Sequence, residues 1–390
     1  MTGHDDLRAD SILDEACQRA GGLADLGDGP FVEPLERVLE SLRTEADLNE
    51  LGRFIARERM LLHTVNRLHY VDDRKTDPAI AGQPIVAPVF IIGMPRTGTT
   101  VLHDILAQDP ANRAPLTWET MFPSPPPRRA TFTTDPRIAA CAATFPDVEE
   151  QMPGFQAIHP MGAELSQECV TLMGEAMCTP LFHNQFRVPS YQDWVDTEAD
   201  FSHVYALHRR QLQHLQAHCA ADRWVLKTGG HLWGLDHLLA TYPDARIVFT
   251  HRDPVMSMTS YASLTTVVRG VSSDVVDPVE VAADWTPRLR RVLVNGIHVR
   301  RASRHRDARF VDVLFPDFVR DQFGVVERIY DAFDLPMSDE GAAAMRAFIA
   351  DNPPGKHGVH EYTPDQFGLE PGEVRAEFAE YVGHFDLAPE

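Results

Sequence analysis

Apolar runs bounded by turn-forming residues predict several buried strands in this chain. The run Val89–Ile92 lies between a proline and a glycine, and a continuous apolar run of this kind is typical of a strand buried on both faces of a parallel sheet. The segments 223–227, 247–250 and 309–314 predict three further strands. We therefore expect an α/β protein with a small parallel sheet of at least four strands, whose order the sequence leaves open.

Residues 1–80 show helical rather than strand periodicity. Apolar residues recur at helical spacing in two stripes, which are Leu35, Val38, Leu39 and Leu42, and Leu61, Leu62, Val65 and Leu68. These stripes predict a helical N-terminal extension that packs on the sheet-containing part of the chain. A lid, or the contact surface of a homodimer, is the alternative role for these helices. Since 390 residues with 44% hydrophobic content can bury a large core, we expect residues 1–390 to form a single domain.

The first predicted strand leads directly into a glycine-containing loop and then a helix. The loop is Gly93-Met-Pro-Arg-Thr-Gly-Thr-Thr100, and the apolar residues that follow it, Val101, Leu102, Ile105 and Leu106, recur at helical spacing. In such an arrangement the backbone N–H groups of the loop and the positive end of the helix dipole point to one place. The sequence therefore predicts an anion-binding site there, for phosphate or a similar group.

The composition of this loop differs from that of ATP-binding P-loops. A Walker A loop carries a lysine before its final hydroxyl residue, and that hydroxyl holds Mg²⁺. Here Thr99 takes the lysine position, Thr100 keeps the hydroxyl, and Arg96 supplies a cation inside the loop. The strand 247–250 runs into His251-Arg-Asp253 instead of ending in an apolar run and the aspartate that would bind the metal. We therefore expect the loop to hold a phosphate-like group without a metal.

Two motifs resemble those of sulfotransferases that use 3′-phosphoadenosine 5′-phosphosulfate (PAPS). The loop sequence PRTGTT, residues 95–100, is similar to their 5′-phosphosulfate loop. The segment 246–261 is similar to their 3′-phosphate motif, in which a serine follows an arginine by eight residues, and Arg252 and Ser260 have that spacing here. The resemblance covers roughly residues 85–385.

The resemblance implies a fold, a co-substrate and a set of binding residues. The fold is a three-layer P-loop-like α/β fold, and PAPS is the co-substrate, bound without a metal. The implied binding residues come from both motifs and are Arg96, Thr97, Gly98, Thr99, Thr100, Arg252 and Ser260. Relatives also tend to have an aromatic residue near the adenine and a C-terminal segment that closes over the cofactor. The candidates for these two features are Phe315 and Phe318, and the segments 356–358 and 367–369.

The expected reaction is the transfer of a sulfuryl group from PAPS to a hydroxyl group of a small, apolar acceptor. Lys227 ends the second predicted strand, and ligands of open α/β sheets bind at the carboxyl ends of strands. The segment 224–254 around it also resembles a bacterial branch of the family. Arg96, Lys227 and the loop N–H groups would stabilise the transferred group without Mg²⁺. The alternatives are a P-loop-type kinase of a small hydroxylated substrate and a non-catalytic nucleotide-binding protein.

Three residues are candidates for the base that removes the acceptor proton. Glu168 lies on the apolar face of a helix predicted over 161–177, where loss of solvent would make it a stronger base, and the resembling bacterial proteins have a glutamate in this setting. It is the first choice. Glu119 lies in a proline-rich segment, 109–136, which we predict to be a long irregular loop. His231 lies four residues after the lysine of the second strand, whereas some relatives have a histidine two residues after it.

Aromatic and histidine residues suggest the remaining features. The loops 109–160 and 178–200 contain Phe155, Phe182, Phe186, Tyr191 and Trp194, which predict an apolar acceptor such as a lipid, steroid or phenol. A helix predicted over 201–220 contains His203, His208, His214 and His218. Its sequence shows no third ligand that would complete a metal site, so we expect a solvated helix face.

Charge and cysteine content argue against several other classes of protein. The net charge is −21 and no run of basic residues exceeds three, so we expect no binding to nucleic acid. No apolar run approaches the about 18 residues needed to span a bilayer, so we expect no stable membrane insertion. The five cysteines are scattered without a C-x-x-C pair, and the N-terminus has no signal-peptide pattern. These features predict a cytoplasmic protein.

Overall fold

The described part of the chain contains one sheet of five parallel strands. The computed structural model describes residues 6–145, 162–303, 309–353 and 362–390. Within them the strands are β1 (Val89–Gly93), β2 (Asn112–Arg113), β3 (Arg223–Lys227), β4 (Arg246–His251) and β5 (Phe310–Leu314). They pair in the order β2-β3-β1-β4-β5, and every pairing is parallel. The four predicted strands and the parallel sheet are confirmed.

Helices account for most of the remaining structure. Four helices lie in the first part of the chain: α1 (Ala9–Arg19), α2 (Val32–Thr44), α3 (Glu50–Thr76) and α4 (Thr99–Leu106). The later helices are Thr117–Met121, Pro136–Ala142, Cys169–Met173, Leu181–Gln185, Pro189–Thr197, Phe201–Gln216, Leu235–Thr241, Pro254–Ser272, Pro278–Ala302, Phe315–Arg320, Gln322–Ala332, Asp339–Asp351, Pro371–Glu377 and Ala379–Phe385. Short 3₁₀ turns span Pro78–Gly82, Arg129–Thr131, Gly174–Ala176, Gly229–Gly234 and Pro364–Phe367.

Helical layers cover both faces of the sheet. The side chains of β1 alternate between them: Val89 and Ile91 pack in one cluster with residues of α4, whereas Phe90 and Ile92 pack in a larger cluster with the N-terminal helices. All four side chains are at most 1% exposed. Because both faces of β1 are buried, every residue along it is apolar, which is why the strand was visible in the sequence. The three-layer architecture is as predicted.

The helical N-terminal extension is also confirmed, and it packs closely on the rest of the chain. Its predicted stripe, Leu35, Val38, Leu39 and Leu42, is at most 2% exposed. In α3, a Cβ atom on Gly52 would lie 2.0 Å from the carbonyl oxygen of Ser272, the last residue of the helix Pro254–Ser272. The close contact between α3 and that helix therefore requires glycine at position 52. The larger core cluster runs from Leu7 to Leu387.

The segment predicted as one helix over 161–177 folds differently. Among its described residues the α-helix spans only Cys169–Met173, and the 3₁₀ turn Gly174–Ala176 follows it. Leu165, whose helical spacing to Cys169 and Leu172 would place it on the apolar face of the predicted helix, is 41% exposed. Glu168 precedes the helix with an extended backbone, φ −80° and ψ 144°. The prediction of a desolvated glutamate on an apolar helix face is therefore wrong.

Two other local predictions need correction. The segment 109–136 is not wholly irregular, because it contains β2, the helix Thr117–Met121 and the turn Arg129–Thr131. In the helix Phe201–Gln216, two of the histidines predicted to be solvated, His208 and His214, are fully buried. Each has a polar partner in the interior, because His208 Nδ1 lies 2.8 Å from the Tyr242 hydroxyl and His214 Nε2 lies 3.0 Å from the Pro123 carbonyl.

Most of the aromatic residues assigned to the acceptor pocket belong to the core instead. Phe182, Phe186 and Tyr191 are at most 1% exposed and lie in the larger cluster, and Trp194 packs against that cluster. The burial of Phe182, Phe186 and Tyr191 therefore contradicts their assignment to an acceptor pocket, whereas the role of the partly buried Trp194 stays a prediction. Phe155 and the segment 356–358 lie outside the described residues.

A buried carboxyl group in the fold gives a testable pH dependence. Glu175 is 1% exposed and accepts a hydrogen bond of 2.8 Å from Gln211, and burial raises its pKa from 4.5 to about 7. Between pH 4.5 and about 7, the Glu175 carboxyl group is therefore mostly protonated in the folded protein but mostly ionised in the unfolded chain. As the pH rises through this window, the group should lower the free energy of unfolding by about 3 kcal/mol.

Urea unfolding of the wild-type protein and Glu175→Gln at pH 5 and pH 8 measures this effect. We expect the stability of the variant relative to wild type to rise between the two pH values, because glutamine carries no charge to be buried at pH 8. A relative stability that is the same at both pH values would contradict the assignment.

Candidate active site

The loop between β1 and α4 has a backbone that only a few residues can adopt. Gly93 and Gly98 have φ of 152° and 86°, and Arg96 between them has φ of 70°. A Cβ atom on Gly93 would lie 2.3 Å from the Thr250 hydroxyl of β4. A Cβ atom on Gly98 would lie 3.1 Å from the Phe318 ring. The two glycines therefore allow the loop to pass close to β4 on one side and to an aromatic wall on the other.

The three threonines of the loop, Thr97, Thr99 and Thr100, differ in their contacts. Thr97 is 1% exposed, and its hydroxyl lies 2.8 Å from the Met94 carbonyl oxygen and 2.5 Å from the Thr250 hydroxyl. That side chain fixes the loop, which leaves the backbone N–H as the group of Thr97 suited to a ligand. Thr99 begins α4 and is 8% exposed. The hydroxyl of Thr100 accepts a hydrogen bond of 3.0 Å from Lys227 Nζ, which connects the loop to β3.

The two sequence motifs meet at Arg96. Its Nε donates a 3.0 Å hydrogen bond to the hydroxyl of Ser260, in the helix Pro254–Ser272. Arg252, which follows β4, donates from Nη1 to the backbone carbonyl of Arg96 at 3.1 Å. Burial lowers the pKa of Arg96 from its usual value, and the neighbouring Arg252 acts in the same direction. Arg252 and Ser260, which the motif spacing paired, therefore each contact Arg96.

Lys227 forms the centre of a second polar cluster at the carboxyl end of β3. It is buried, and its Nζ lies 2.5 Å from Glu168 Oε1 as well as 3.0 Å from the Thr100 hydroxyl. The other carboxylate oxygen of Glu168 accepts a 2.9 Å hydrogen bond from the hydroxyl of Thr228. Glu168 is half-buried, with 27% of its side chain exposed. A carboxylate therefore lies at the edge of solvent beside a fixed cation, next to the glycine loop.

Comparison with known proteins assigns this arrangement to a family. Residues 88–339, which are more than half of the chain, match the sulfotransferase family. The chain belongs to the sulfotransferase family. Both motifs and the Lys227–Glu168 pair lie inside the matched region, so the family assignment covers the residues that form the candidate site.

Solved structures and curated relatives agree with this assignment. The sulfotransferase STF1 from Mycobacterium tuberculosis H37Rv is 32% identical, with a TM-score of 0.84 over 95% of this chain and 98% of that one. STF9 from Mycobacterium avium is 28% identical, with a TM-score of 0.89 over 98% of both chains. The ω-hydroxy-β-dihydromenaquinone-9 sulfotransferase Stf3 of Mycobacterium tuberculosis is 24% identical over 294 residues, 72% of this chain and 71% of Stf3. The P-loop-like α/β fold is confirmed.

Contacts from distant parts of this sulfotransferase hold Glu168 in place. The backbone N–H of Gln167 donates to the Pro115 carbonyl at 2.7 Å, and the N–H of Thr117 donates to the Leu165 carbonyl at 2.9 Å. These bonds fix the main chain just before Glu168 against the segment that follows β2. The helix then begins at Cys169, so the position of Glu168 is set by tertiary contacts rather than by helix periodicity.

Asp104 is a member of the site that the sequence analysis missed. It lies on α4, one turn after Thr100, and its side chain hydrogen-bonds Ser166, two residues before Glu168. Burial raises its pKa to about 6, whereas Lys227 opposes that shift. The spacing of four residues between Thr100 and Asp104 was the signal available in the sequence, because it places both side chains on one helix face.

The other two candidates for the base make their contacts in packed parts of the interior. Glu119 is fully buried, pairs with the guanidinium of Arg113 and accepts a 3.0 Å hydrogen bond from the N–H of Leu116. His231 is also fully buried, and its Nδ1 lies 2.9 Å from the Tyr205 hydroxyl. Burial holds the pKa of His231 well below its usual value, which makes the imidazole neutral. Of the three candidates, it is Glu168 that contacts Lys227.

The described residues contain no group of three or more histidine, cysteine, aspartate or glutamate side chains arranged to hold a metal. A search of the same residues for helices long and apolar enough to cross a bilayer finds none.

Phe315 and Phe318, the two candidates for contact with the adenine, both lie close to Gly98 of the loop. The guanidinium carbon of Arg252 lies 4.0 Å from the centre of the Phe315 ring.

Proposed function

We propose that this enzyme transfers a sulfuryl group from PAPS to a hydroxyl group of a small apolar acceptor. The observation that carries the proposal is that two clusters of cationic side chains lie on opposite sides of one glycine loop. Arg252 and Arg96 lie with Ser260 on the β4 side, and Lys227 lies with Thr100 on the β3 side. The separate clusters suit a ligand with two separate anionic groups, as PAPS has at its 3′ and 5′ positions.

The residues present fit such a ligand. The glycine loop would hold the 5′-phosphosulfate with its backbone N–H groups, since Gly93 and Gly98 let the loop pass close to Thr250 and Phe318 in the conformation it adopts. Arg252 and Ser260 would hold the 3′-phosphate, and the ring of Phe315 beside Arg252 offers an aromatic surface to the adenine. PAPS supplies an activated sulfuryl group whose bond to the 5′-phosphate breaks as the acceptor oxygen attacks the sulfur.

The residues of this chain supply charge and a proton acceptor for that reaction. Lys227 would place its ammonium group against the charge that develops on the departing 5′-phosphate, with Arg96 and the loop N–H groups in the same role. Glu168 lies beside Lys227 at the edge of solvent, where its carboxylate would take the proton of the acceptor hydroxyl. The proton would then reside on Glu168, and the sulfate ester would be released.

Exposed apolar residues close in sequence to residues of the site support an apolar acceptor. Leu165 is 41% exposed three residues before Glu168, and Val101 is 41% exposed directly after Thr100. Both flank polar residues of the site, where an apolar acceptor would cover them. The relative Stf3 is a sulfotransferase of a hydroxylated menaquinone, and we infer an acceptor of the same general kind, apolar with one hydroxyl group.

We also propose that residues 1–390 act as one domain in the cytoplasm. The larger core cluster, which joins the N-terminal helices to residues near the end of the chain, supports one domain. The free state of Cys17, Cys141, Cys169, Cys178 and Cys219 supports a reducing compartment. A homodimer through the N-terminal helices stays a prediction, to be measured by light scattering.

The assignment of Arg252 predicts a change in ligand preference. We expect Arg252→Ala to weaken binding of the product 3′,5′-bisphosphoadenosine roughly tenfold or more, because a charge-assisted contact with its 3′-phosphate is lost. Binding of 5′-AMP, which has no 3′-phosphate, should change little. Isothermal calorimetry of both nucleotides measures the difference, and Arg320→Ala, whose side chain is 74% exposed, is the matched control.

Equal losses for both nucleotides would overturn the assignment of the 3′-phosphate site. The competing kinase function makes the opposite prediction, namely Mg²⁺-dependent turnover of ATP in the presence of a hydroxylated substrate. A non-catalytic nucleotide-binding protein would bind 3′,5′-bisphosphoadenosine without transferring a sulfuryl group to any hydroxyl compound. A panel of hydroxylated quinones, steroids and phenols assayed with PAPS separates these outcomes.

A further inference from the structure

Arg252 already contacts a carboxylate of its own chain. Its Nε donates a 2.9 Å hydrogen bond to Oε2 of the Glu390 side chain, and the two groups form an ion pair. The side chains of Arg252 and Glu390 are only 15% and 21% exposed. A carboxylate oxygen is thus bound to the guanidinium to which the proposed function assigns the 3′-phosphate.

Other contacts hold Glu390 at this position. Its backbone N–H donates to Asp253 Oδ2 at 3.0 Å, and Asp253 is buried with its side chain 2.8 Å from the guanidinium of Arg375. Arg375 also donates to the carbonyl of Leu387 at 2.8 Å. The segment 387–390 is therefore attached to the residue next to Arg252 by bonds that do not involve the Glu390 carboxylate. The side chain can leave Arg252 while its backbone stays in place.

We propose that the Glu390 carboxylate competes with the nucleotide 3′-phosphate for Arg252 and so lowers the affinity of the enzyme for nucleotides that carry this phosphate. This inference rests on the proposed function. Binding must replace a carboxylate of one negative charge by a phosphate of up to two, and the attached segment keeps the competing carboxylate close at high effective concentration. When the product leaves, the carboxylate returns to the guanidinium, which favours release of 3′,5′-bisphosphoadenosine.

The competition should act on the 3′-phosphate and not on the rest of the nucleotide. A ligand without a 3′-phosphate has no group to place on Arg252, so the Arg252–Glu390 pair can persist when it binds. Removal of the Glu390 carboxylate should therefore strengthen 3′,5′-bisphosphoadenosine selectively. An ordinary structural salt bridge would give the opposite result, since its loss would leave Arg252 less well positioned for any nucleotide.

Calorimetry on the full chain tests the proposal with Glu390→Gln and Glu390→Ala. Glutamine keeps the size of the side chain and the backbone bond to Asp253 but removes the charge. We expect the dissociation constant of 3′,5′-bisphosphoadenosine to fall roughly threefold to tenfold in both variants, with that of 5′-AMP unchanged. Glu373→Gln is the control, because it removes the same charge from an exposed position near the end of the chain.

Each outcome decides the question. An unchanged or larger dissociation constant for 3′,5′-bisphosphoadenosine in the Glu390 variants overturns the competition, and so does equal tightening by Glu373→Gln, which would indicate a general charge effect. If wild-type protein prefers 3′,5′-bisphosphoadenosine over 5′-AMP and Arg252→Ala abolishes the preference, the proposed function stands whatever the Glu390 variants show. If neither the wild-type protein nor any variant binds 3′,5′-bisphosphoadenosine, both the function and the competition are wrong.

Discussion

Replacement of Glu168 by glutamine should lower turnover of any accepted hydroxyl compound by about 10²–10⁴-fold, the usual cost of removing a general base. Glutamine has nearly the same shape and its amide oxygen can still accept a hydrogen bond from Lys227 or Thr228. It has no charge with which to take a proton. The expected loss therefore lies in kcat, and binding of 3′,5′-bisphosphoadenosine should remain nearly unchanged because the carboxylate is assigned to the acceptor side.

Glu164→Gln provides the matched control, because Glu164 lies four residues earlier in the same segment and is exposed. Its kcat should stay within about twofold of wild type, as expected for a surface substitution away from the site. Near-full activity of Glu168→Gln would remove Glu168 from the role of base. If Glu119→Gln lost activity instead, with its folded fraction intact, the base would be Glu119. If all the glutamate variants kept their activity, loss of the acidic limb of the pH–rate profile in His231→Ala would assign the role to His231.

The parts of the site that could be predicted from the sequence are those fixed by local backbone rules. β1 is buried on both faces, so its whole run is apolar and visible. The glycine loop is short and continuous in the chain, and Gly93 and Gly98 occupy positions with positive φ that most residues avoid. Arg252 lies two residues before the helix Pro254–Ser272 and Ser260 lies within it, so the eight-residue spacing of the pair is recognisable in the sequence.

The setting of Glu168 could not be predicted because contacts distant in sequence determine it. The spacing of Leu165, Cys169 and Leu172 matches a helix, but Gln167 donates to the Pro115 carbonyl and the Leu165 carbonyl accepts from Thr117. These two hydrogen bonds hold the main chain before Cys169, and Glu168 itself has an extended backbone. No local pattern encodes a partner some 50 residues away. The choice of Glu168 as a site residue depended on the family resemblance, whereas the argument from helix periodicity placed it on the wrong kind of surface.

Buried polar residues posed the same difficulty. We predicted that His208 and His214 face solvent because the helix sequence shows no third metal ligand. Each is buried instead and has a hydrogen-bond partner that makes burial tolerable, a tyrosine hydroxyl for His208 and a backbone carbonyl for His214. The aromatic residues after Cys178 were assigned to a ligand pocket, although large apolar side chains are more often needed for the core. Whether a polar group is satisfied depends on the packed structure, which a single sequence does not display.

Glu119 differs from Glu168 in its surroundings, and its replacement should therefore affect stability. Arg113 is 7% exposed, and its guanidinium donates to the Leu215 and Cys219 carbonyls, both at 2.7 Å, in addition to its pairing with Glu119. Glu119→Ala would leave the buried positive charge without its counterion. The expected cost is roughly 3–5 kcal/mol in the free energy of unfolding. Urea unfolding at pH 7 measures it.

The exposed pair of Arg37 and Glu33 gives the comparison that isolates burial as the cause. Its side chains are 40% and 61% exposed, so Glu33→Ala should cost less than about 1 kcal/mol, although it breaks an ion pair of the same chemistry. A second comparison separates stability from catalysis. At a temperature where both variants are still folded, the kcat per folded molecule of Glu119→Ala should match wild type, whereas that of Glu168→Gln should be much lower. A loss of less than about 1 kcal/mol in Glu119→Ala would show that Arg113 does not need its counterion, and would return Glu119 to the candidates for a role at the site.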